Sequence, residues 1–583
     1  MDKKYVWATE EIYASVKDWE REYAEVASAL DFSEFKGRLG DPNQFLECMK
    51  KEETLGRKVE KLSVFAMMKH DENTKDSVYD ALLSKVMSLS ASFGEKTAFI
   101  LPELTALPES VLKEYMQNPM LSDYDYSLKR ILDEKSHVLS EAEERLLSMS
   151  SETLASFRDI FTKTDNADLP LKPVSHGGKR IALTHGTYGV IMRSPDRELR
   201  KKTFKKYYGA YISLINVISA TYFGSVKKDV FAAKAKKYES SLDMALSGED
   251  VDVSVYKNLI RSVDEGLKYL HEYMAVKKRE LGLEEMHMYD VYVPTVENAE
   301  IEIGYDEAYS LVIEGLQVLG REYSELLRKA HDERWISVYE TEGKRSGAYS
   351  VAVYDIHPYV LLNYQKTTHD VFTIAHEMGH SIHSYFSNKN QPYAKADYKI
   401  FVAEVASTVN EVLLLKYLLR RSTDKKMKKY LLSYLMEMIR TTLFRQTQFA
   451  EFEEFSHGSV EKGIPLTKDM MCEEYLRLNK KYYGDAVVSD DEIKYEWARI
   501  PHFYRAFYVY KYATGIISAL AIADRILTEG ESAVEDYFKF LSSGDSAGPV
   551  ELLKIAGVDL TSEQPFKAAF AAFGKALEEY KKL

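Results

Sequence analysis

The segment His376-Glu377-Met378-Gly379-His380 sets two histidines four positions apart, with a glutamate directly after the first. On a helix turning ~100° per residue, the two imidazoles lie ~40° apart on one face, one turn above the other. Both can then reach a single zinc ion at ~2.0–2.1 Å. Glu377 falls ~100° round from His376, beside such a metal rather than on it, where its carboxylate can take a proton from an activated water. The apolar residues Val371, Ala375, Met378, Ile382 and Tyr385 form a stripe on the opposite side. The helix therefore packs its back into a core and presents its histidines to a cleft. Gly379 costs about 1 kcal/mol relative to Ala inside a helix, and close approach of another backbone would explain its presence.

A catalytic zinc needs a third protein ligand and one open position. His383, Glu404 and Glu411 are the candidates. His383 shares the helix face of His376, but three ligands from one straight helix strain tetrahedral geometry, and Ser384-Tyr385-Phe386 lacks the Gly and His that a metzincin spacing requires. Glu404 belongs to a helix whose Val402, Val405, Val409 and Leu413 face the other way. Glu411, seven residues further on, shares the Glu404 face and could orient a ligand histidine from behind. Carboxylates are common here, and spacing does not choose among them.

The elements that position these residues are mostly helical. Ile12, Val16, Trp19, Tyr23, Val26 and Leu30 recur at helical spacing, and similar patterns run to about residue 162, with a capping-box candidate at Ser140–Glu143. The stretch 164–170 reads as a loop, Gly177-Gly178 introduces a hairpin expected through Ile181 to Met192, and Ser194-Pro195 reads as a helix start. This places a soft boundary that divides 1–193 from 194–583. Strand signals concentrate in Met286–Val293, Trp335–Tyr339, Ala348–Tyr354 and Tyr359–Tyr364, and from 367 onward the chain returns to helix. The expected fold is mainly α, with one small sheet beside the zinc-binding helix.

Composition bounds the function. The net charge of −13 argues against polyanion binding, which needs concentrated Lys and Arg, so no nucleic-acid partner is expected. The two cysteines, Cys48 and Cys472, exclude a disulfide framework and a cysteine-based metal site, and fit a reducing compartment. The N-terminus lacks the apolar run of a signal peptide. The uncharged stretch Tyr207–Val226 contains Ser213, Asn216, Ser219 and Thr221 and reads as a buried helix rather than a membrane span. The expected location is the cytoplasm. The 42 tyrosines exceed ordinary usage, and composition alone does not account for them.

With these residues in place, the chain resembles the oligoendopeptidase F branch of the thimet-oligopeptidase-like zinc metallopeptidases. The resemblance rests on 370–387 (DVFTIAHEMGHSIHSYFS), FVAEVASTVNE from Phe401, Gly347-Ala348-Tyr349-Ser350, PYVLLN from Pro358, Phe444-Arg445-Gln446-Thr447 and RIPHFYRAFYVYKYATG from Arg499. It is strong from about residue 180 and weak before that. It implies a two-lobed, mostly helical ellipsoid split by a deep substrate channel, with one zinc on the channel floor and residues 1–193 in the channel wall. It assigns the third ligand to Glu404. It also implies hydrolysis of internal bonds in short, unstructured peptides.

Peptide hydrolysis needs donors for the oxyanion formed on the attacked carbonyl, and losing one typically costs ~10²–10³ in rate. By the resemblance, His502 and Tyr510 take that role, with Tyr504 as the second tyrosine and Tyr508 as its alternative. The loop is shorter than in distant relatives and lacks their glycines. Gly347, Ala348 and Tyr349 open a segment to Val353 expected to pair, as an exposed edge strand, with extended substrate. Two rival readings are a zinc-dependent exopeptidase or dipeptidase on the same scaffold and a non-catalytic peptide-binding protein. The intact metal motif and His/Tyr segment argue against the second.

Overall fold

A computed structural model describes residues 2–296 and 302–583. Helix dominates, as expected. The chain forms two compact units: 1–136 with 300–418 and 522–558, and 137–299 with 419–521 and 559–583.

In the first unit the N-terminal stripe folds as expected, except that helix begins only at Val16, because the Ser15 hydroxyl caps it by accepting from the Asp18 N–H. Trp19 is fully buried and donates its indole N–H to the Leu62 carbonyl at 2.9 Å. A three-stranded sheet carries β1 (Ile336–Ser337), β2 (Tyr349–Val351) and β3 (Tyr359–Leu361) in the order β1-β3-β2. β3 is buried throughout and central. β1 runs parallel to it with Ile336 opposite Val360, and β2 runs antiparallel with Ser350 opposite Val360. β2 is therefore an edge strand. After the sheet, Thr367 and Asp370 form a reciprocal capping box that starts α1 (Thr368–Asn390). α2 (Ile400–Arg421) follows.

In the second unit several local expectations are corrected. The hairpin closes earlier than expected. Val174–His176 pairs with Lys179–Ile181 around Gly177 and Gly178, whose φ angles of 54° and 73° suit a tight turn. Residues His185–Met192 form a helix instead, started by Thr184, whose hydroxyl accepts the Thr187 N–H at 3.1 Å. The next helix starts at Arg197 rather than at Pro195, because Asp196 accepts the Leu199 N–H at 2.9 Å. Thr164–Asp168 is a π-helical extension of the preceding helix, while the Ser140–Glu143 capping box is present. Of Met286–Val293, only Met286–His287 is strand, paired with Val487–Val488. Asp290 then draws in Arg197 and Arg200 and turns the chain into a 3₁₀ turn.

The uncharged stretch is two helices, Arg197–Ser213 and Ile215–Ala235, bent by 66° where they meet. No single helix among the described residues is long and apolar enough to cross a membrane. The tyrosine excess belongs largely to the cores. Tyr222, Tyr256, Tyr309 and Tyr323 are each under 2% exposed. Their hydroxyls are bonded, as in Tyr256 to the Ala450 carbonyl and Tyr309 to the Leu327 carbonyl.

Candidate active site

α1 has the two faces its periodicity predicts. Val371, Ala375, Met378 and Ile382 are buried, while Tyr385 is half-buried. His376 and His380 are half-buried on the other side, and Glu377 is 7% exposed. α2 buries Val402, Val405, Val409 and Leu413 and turns Glu404 and Glu411 toward α1.

Close approach of the two helices is built into the sequence. A β-carbon on Gly379 would lie 2.5 Å from Ser407 Cα and 2.7 Å from the Ala406 carbonyl oxygen. The buried Asn410 of α2 donates to the Ala375 carbonyl at 3.0 Å and accepts from the Tyr323 hydroxyl at 2.8 Å. Asn410 stood out by no spacing rule; its only sequence signal is a lone amide within the apolar run of α2.

Among the described residues, His376, His380 and Glu404 are the group of His, Cys, Asp or Glu side chains whose ligand atoms all lie within 4.8 Å of one another. Tetrahedral donors ~2.0–2.1 Å from zinc stand about 3.3 Å apart. Here His376 Nε2 lies 3.2 Å from His380 Nε2 and 3.4 Å from a Glu404 oxygen, and His380 Nε2 lies 3.7 Å from that oxygen. The donor set fits zinc without rearrangement. His383 is elsewhere: it is 1% exposed and stacks on Tyr398 with ring centroids 3.8 Å apart.

Both imidazoles are held by α2. Glu411 meets His376 Nδ1 at 2.7 Å, which fixes the His376 tautomer that leaves Nε2 free to ligate, and the Ala403 backbone bonds His380. Burial alone would lower the pKa of His376, but the bonded Glu411, with Glu377 and Glu404, raises it to about 9. Burial and the adjacent His376 lower His380 to about 4. Burial pushes the Glu377 carboxyl up to about 7, against the pull of His376 and with the help of Glu404 and Glu411.

The edge strand is tied to this helix turn. The Ser350 and Ser381 hydroxyls share a hydrogen bond at 2.9 Å, and Ser381 donates to the Glu377 carbonyl at 3.0 Å. Gly347 and Ala348 line a cavity of about 470 Å³ together with Asn363, His369 and Thr373. The Tyr349 side chain turns away, its hydroxyl donating to Asp71 at 2.9 Å.

In the second unit, His502 lies exposed on the 3₁₀ turn Pro501–Tyr504. Tyr508 and Tyr512 are half-buried beside it, with the Tyr512 hydroxyl 3.4 Å from His502 Nε2. Tyr504 and Tyr510 are buried, and Tyr504 stacks on Phe161 at 4.4 Å. The loop makes its sharp turn without glycine. Phe507 adopts φ 54°, and its N–H donates to the buried Glu453 at 2.9 Å.

Comparison with known proteins agrees with this geometry. The model of peptidase family M3 matches residues 190–572, and that of oligopeptidase F matches 103–170. Oligopeptidase PepF of Bacillus subtilis is 40% identical over 581 residues, 99% of this chain and 87% of its own length. A crystal structure of a Chlamydophila abortus protein superimposes with a TM-score of 0.95 at 35% identity, covering 100% of this chain and 98% of that one. The structure of oligoendopeptidase-F from Enterococcus faecium gives 0.74 at 34% identity, covering 97% and 98%. Two histidines and a glutamate spaced for one zinc, on a chain matched along nearly its whole length, lead to one conclusion: the chain belongs to peptidase family M3 and is a metalloendopeptidase of its oligoendopeptidase F branch.

Proposed function

We propose that this metalloendopeptidase holds one zinc per chain through His376, His380 and Glu404 and cleaves internal bonds of short peptides with Glu377 as general base. The observation that carries the reading is the near-tetrahedral spacing of the three donors with Glu377 directly beside them. A zinc ion there supplies Lewis acidity, polarising a carbonyl and lowering the pKa of water toward ~7. The Glu377 carboxylate accepts the proton of the attacking water and returns it to the departing amine nitrogen. Glu411 keeps His376 oriented through Nδ1.

His502 and Tyr510 are assigned to the oxyanion. For the second tyrosine the alternatives are Tyr504 and Tyr508. Tyr508 is half-buried beside His502, while Tyr504 is buried against Phe161 and Tyr510 is buried as well, so burial does not choose between the two alternatives. Extended substrate pairs with the segment from Gly347 to Val353, whose Tyr349–Val351 is the edge strand β2, which leaves side chains little constrained and suits broad sequence tolerance.

Residues 194–583 act as the catalytic region and 1–193 as the region limiting substrate size, a division supported by the separate family matches. Buried, free Cys48 and Cys472 support a reducing, cytoplasmic setting, and the acidic balance supports peptide rather than nucleic-acid partners.

The test is Glu377→Gln. It should keep its zinc while hydrolysis of an internally quenched peptide blocked at both ends collapses. Retained activity would remove Glu377 from the mechanism.

A further inference from the structure

The second unit contains a cavity of about 740 Å³ bordered by His502, and nothing in the reaction described above uses it. Its aromatic walls include Tyr188 and Tyr207, stacked with centroids 3.8 Å apart. Its charged lining is unbalanced, with Arg193, Arg445 and Arg499, alongside His185 and His502, against the single carboxylate of Asp165. Asp165 is already engaged, accepting the Tyr211 hydroxyl at 2.7 Å and facing His185 at 3.7 Å.

Arg445 and Arg499 are the informative pair. Their side chains are only 17% and 18% exposed, yet they share one counter-ion. Glu496 Oε1 accepts from Arg445 at 2.7 Å and from Arg499 at 2.9 Å, while Oε2 accepts the Tyr475 hydroxyl at 2.8 Å. Aromatic rings offset part of the second charge: Arg445 lies over Phe449, and Arg499 lies over Tyr188 and Tyr207 with its Nε on the Tyr208 hydroxyl. One carboxylate still cannot neutralise two guanidinium groups, and the net positive charge of a mostly buried site is costly without an anion. The surplus positive field reaches His502: although its residue surface is open, desolvation of the imidazole and then Arg445 and Arg505 hold its pKa below the ordinary value. A planar guanidinium with N–H groups to spare is the group best suited to bind a carboxylate in a forked geometry.

We propose that this cavity binds a carboxylate of the peptide substrate through Arg445 and Arg499. The carboxylate comes either from the peptide's C-terminus or from an acidic side chain. The inference rests on the proposed reading of His502, which borders the cavity, as a reaction-site residue.

The test uses the zinc-loaded enzyme and quenched peptides of one neutral sequence: a free acid, its C-terminal amide, and amides carrying Glu or Gln near that end. For the unaltered protein, a free acid cleaved about tenfold or more better than its amide, through KM, supports the C-terminal source. A matching preference for the Glu-containing over the Gln-containing amide supports the side-chain source. Equal kcat/KM across both pairs overturns the proposal, whatever any variant does. Arg445→Gln leaves Glu496 one guanidinium, and there the preference should fall toward unity while the amide is still cleaved. A preference that persists in a folded Arg445→Gln overturns the assignment to this cavity. His502→Phe separates the two readings. It should lower kcat for acid and amide alike, and an unchanged kcat would remove His502 from the reaction without touching the carboxylate preference.

Discussion

Gly379 and Ser407 meet backbone to backbone, with the space for a β-carbon on Gly379 ending 2.5 Å from Ser407 Cα. The missing side chain is what lets α2 lie close enough to deliver Glu404 to the histidines. Gly379→Ala should therefore force the helices apart. Overpacking of this kind typically costs ~1–3 kcal/mol, and zinc affinity should fall about tenfold or more. Competition with a chelator measures the second effect; unchanged affinity would mean that the contact does not set the donor geometry.

Glu404→Ala and Glu411→Gln should separate ligation from orientation. The first removes a donor, so metal should be lost on dialysis. The second keeps an oxygen near His376 Nδ1 and removes only its charge, so zinc should bind roughly 10–100-fold more weakly but still bind. Equal metal content in both variants would sink the distinction.

Asn410→Leu leaves the Ala375 carbonyl and the Tyr323 hydroxyl buried without their partner. The expected loss is about 1–3 kcal/mol of unfolding free energy, read from denaturant midpoints. A loss within a few tenths would show that water replaces the amide.

Glu496 gives the acid limb of stability. Burial would raise its pKa, but Arg445 and Arg499 hold it down to about 2, from 4.5 when unfolded. A depressed pKa stabilises fully above the unfolded value and is lost as pH falls from about 4.5 through about 2. The contribution is on the order of 3 kcal/mol. The gap in stability between wild type and Glu496→Gln should thus be wide at pH 7 and narrow toward pH 2. A gap independent of pH would refute the linkage.

The candidate metal motif was legible because His376, Glu377 and His380 share one helix, where sequence spacing is geometry. Glu404 was not legible by spacing, because its place depends on how α2 docks on α1, a tertiary matter that only the resemblance supplied. Gly379 announced that docking as a local cost without naming the partner. Ile181–Met192 misled because its apolar, β-branched residues suit strand and helix alike, and one hydroxyl cap at Thr184 decides between them. In the 502–512 segment, residue types brought the tyrosines into view. Burial then sorted them, with Tyr504 and Tyr510 inside and Tyr508 and Tyr512 beside His502.

The unit that carries the metal donors is assembled from stretches far apart in the chain, the last running from 522 to 558. The C-terminal half of α1 is partly covered from that last stretch: Phe386 stacks on Phe538 at 5.1 Å, and His383 lies 5.4 Å from Phe540. During synthesis, at ~5–20 residues per second, the nascent chain therefore displays its complete ligand set, finished at Glu404, for many seconds before the covering residues emerge. A chain truncated before residue 530 would carry all three candidate donors but lack the residues that cover Phe386 and His383.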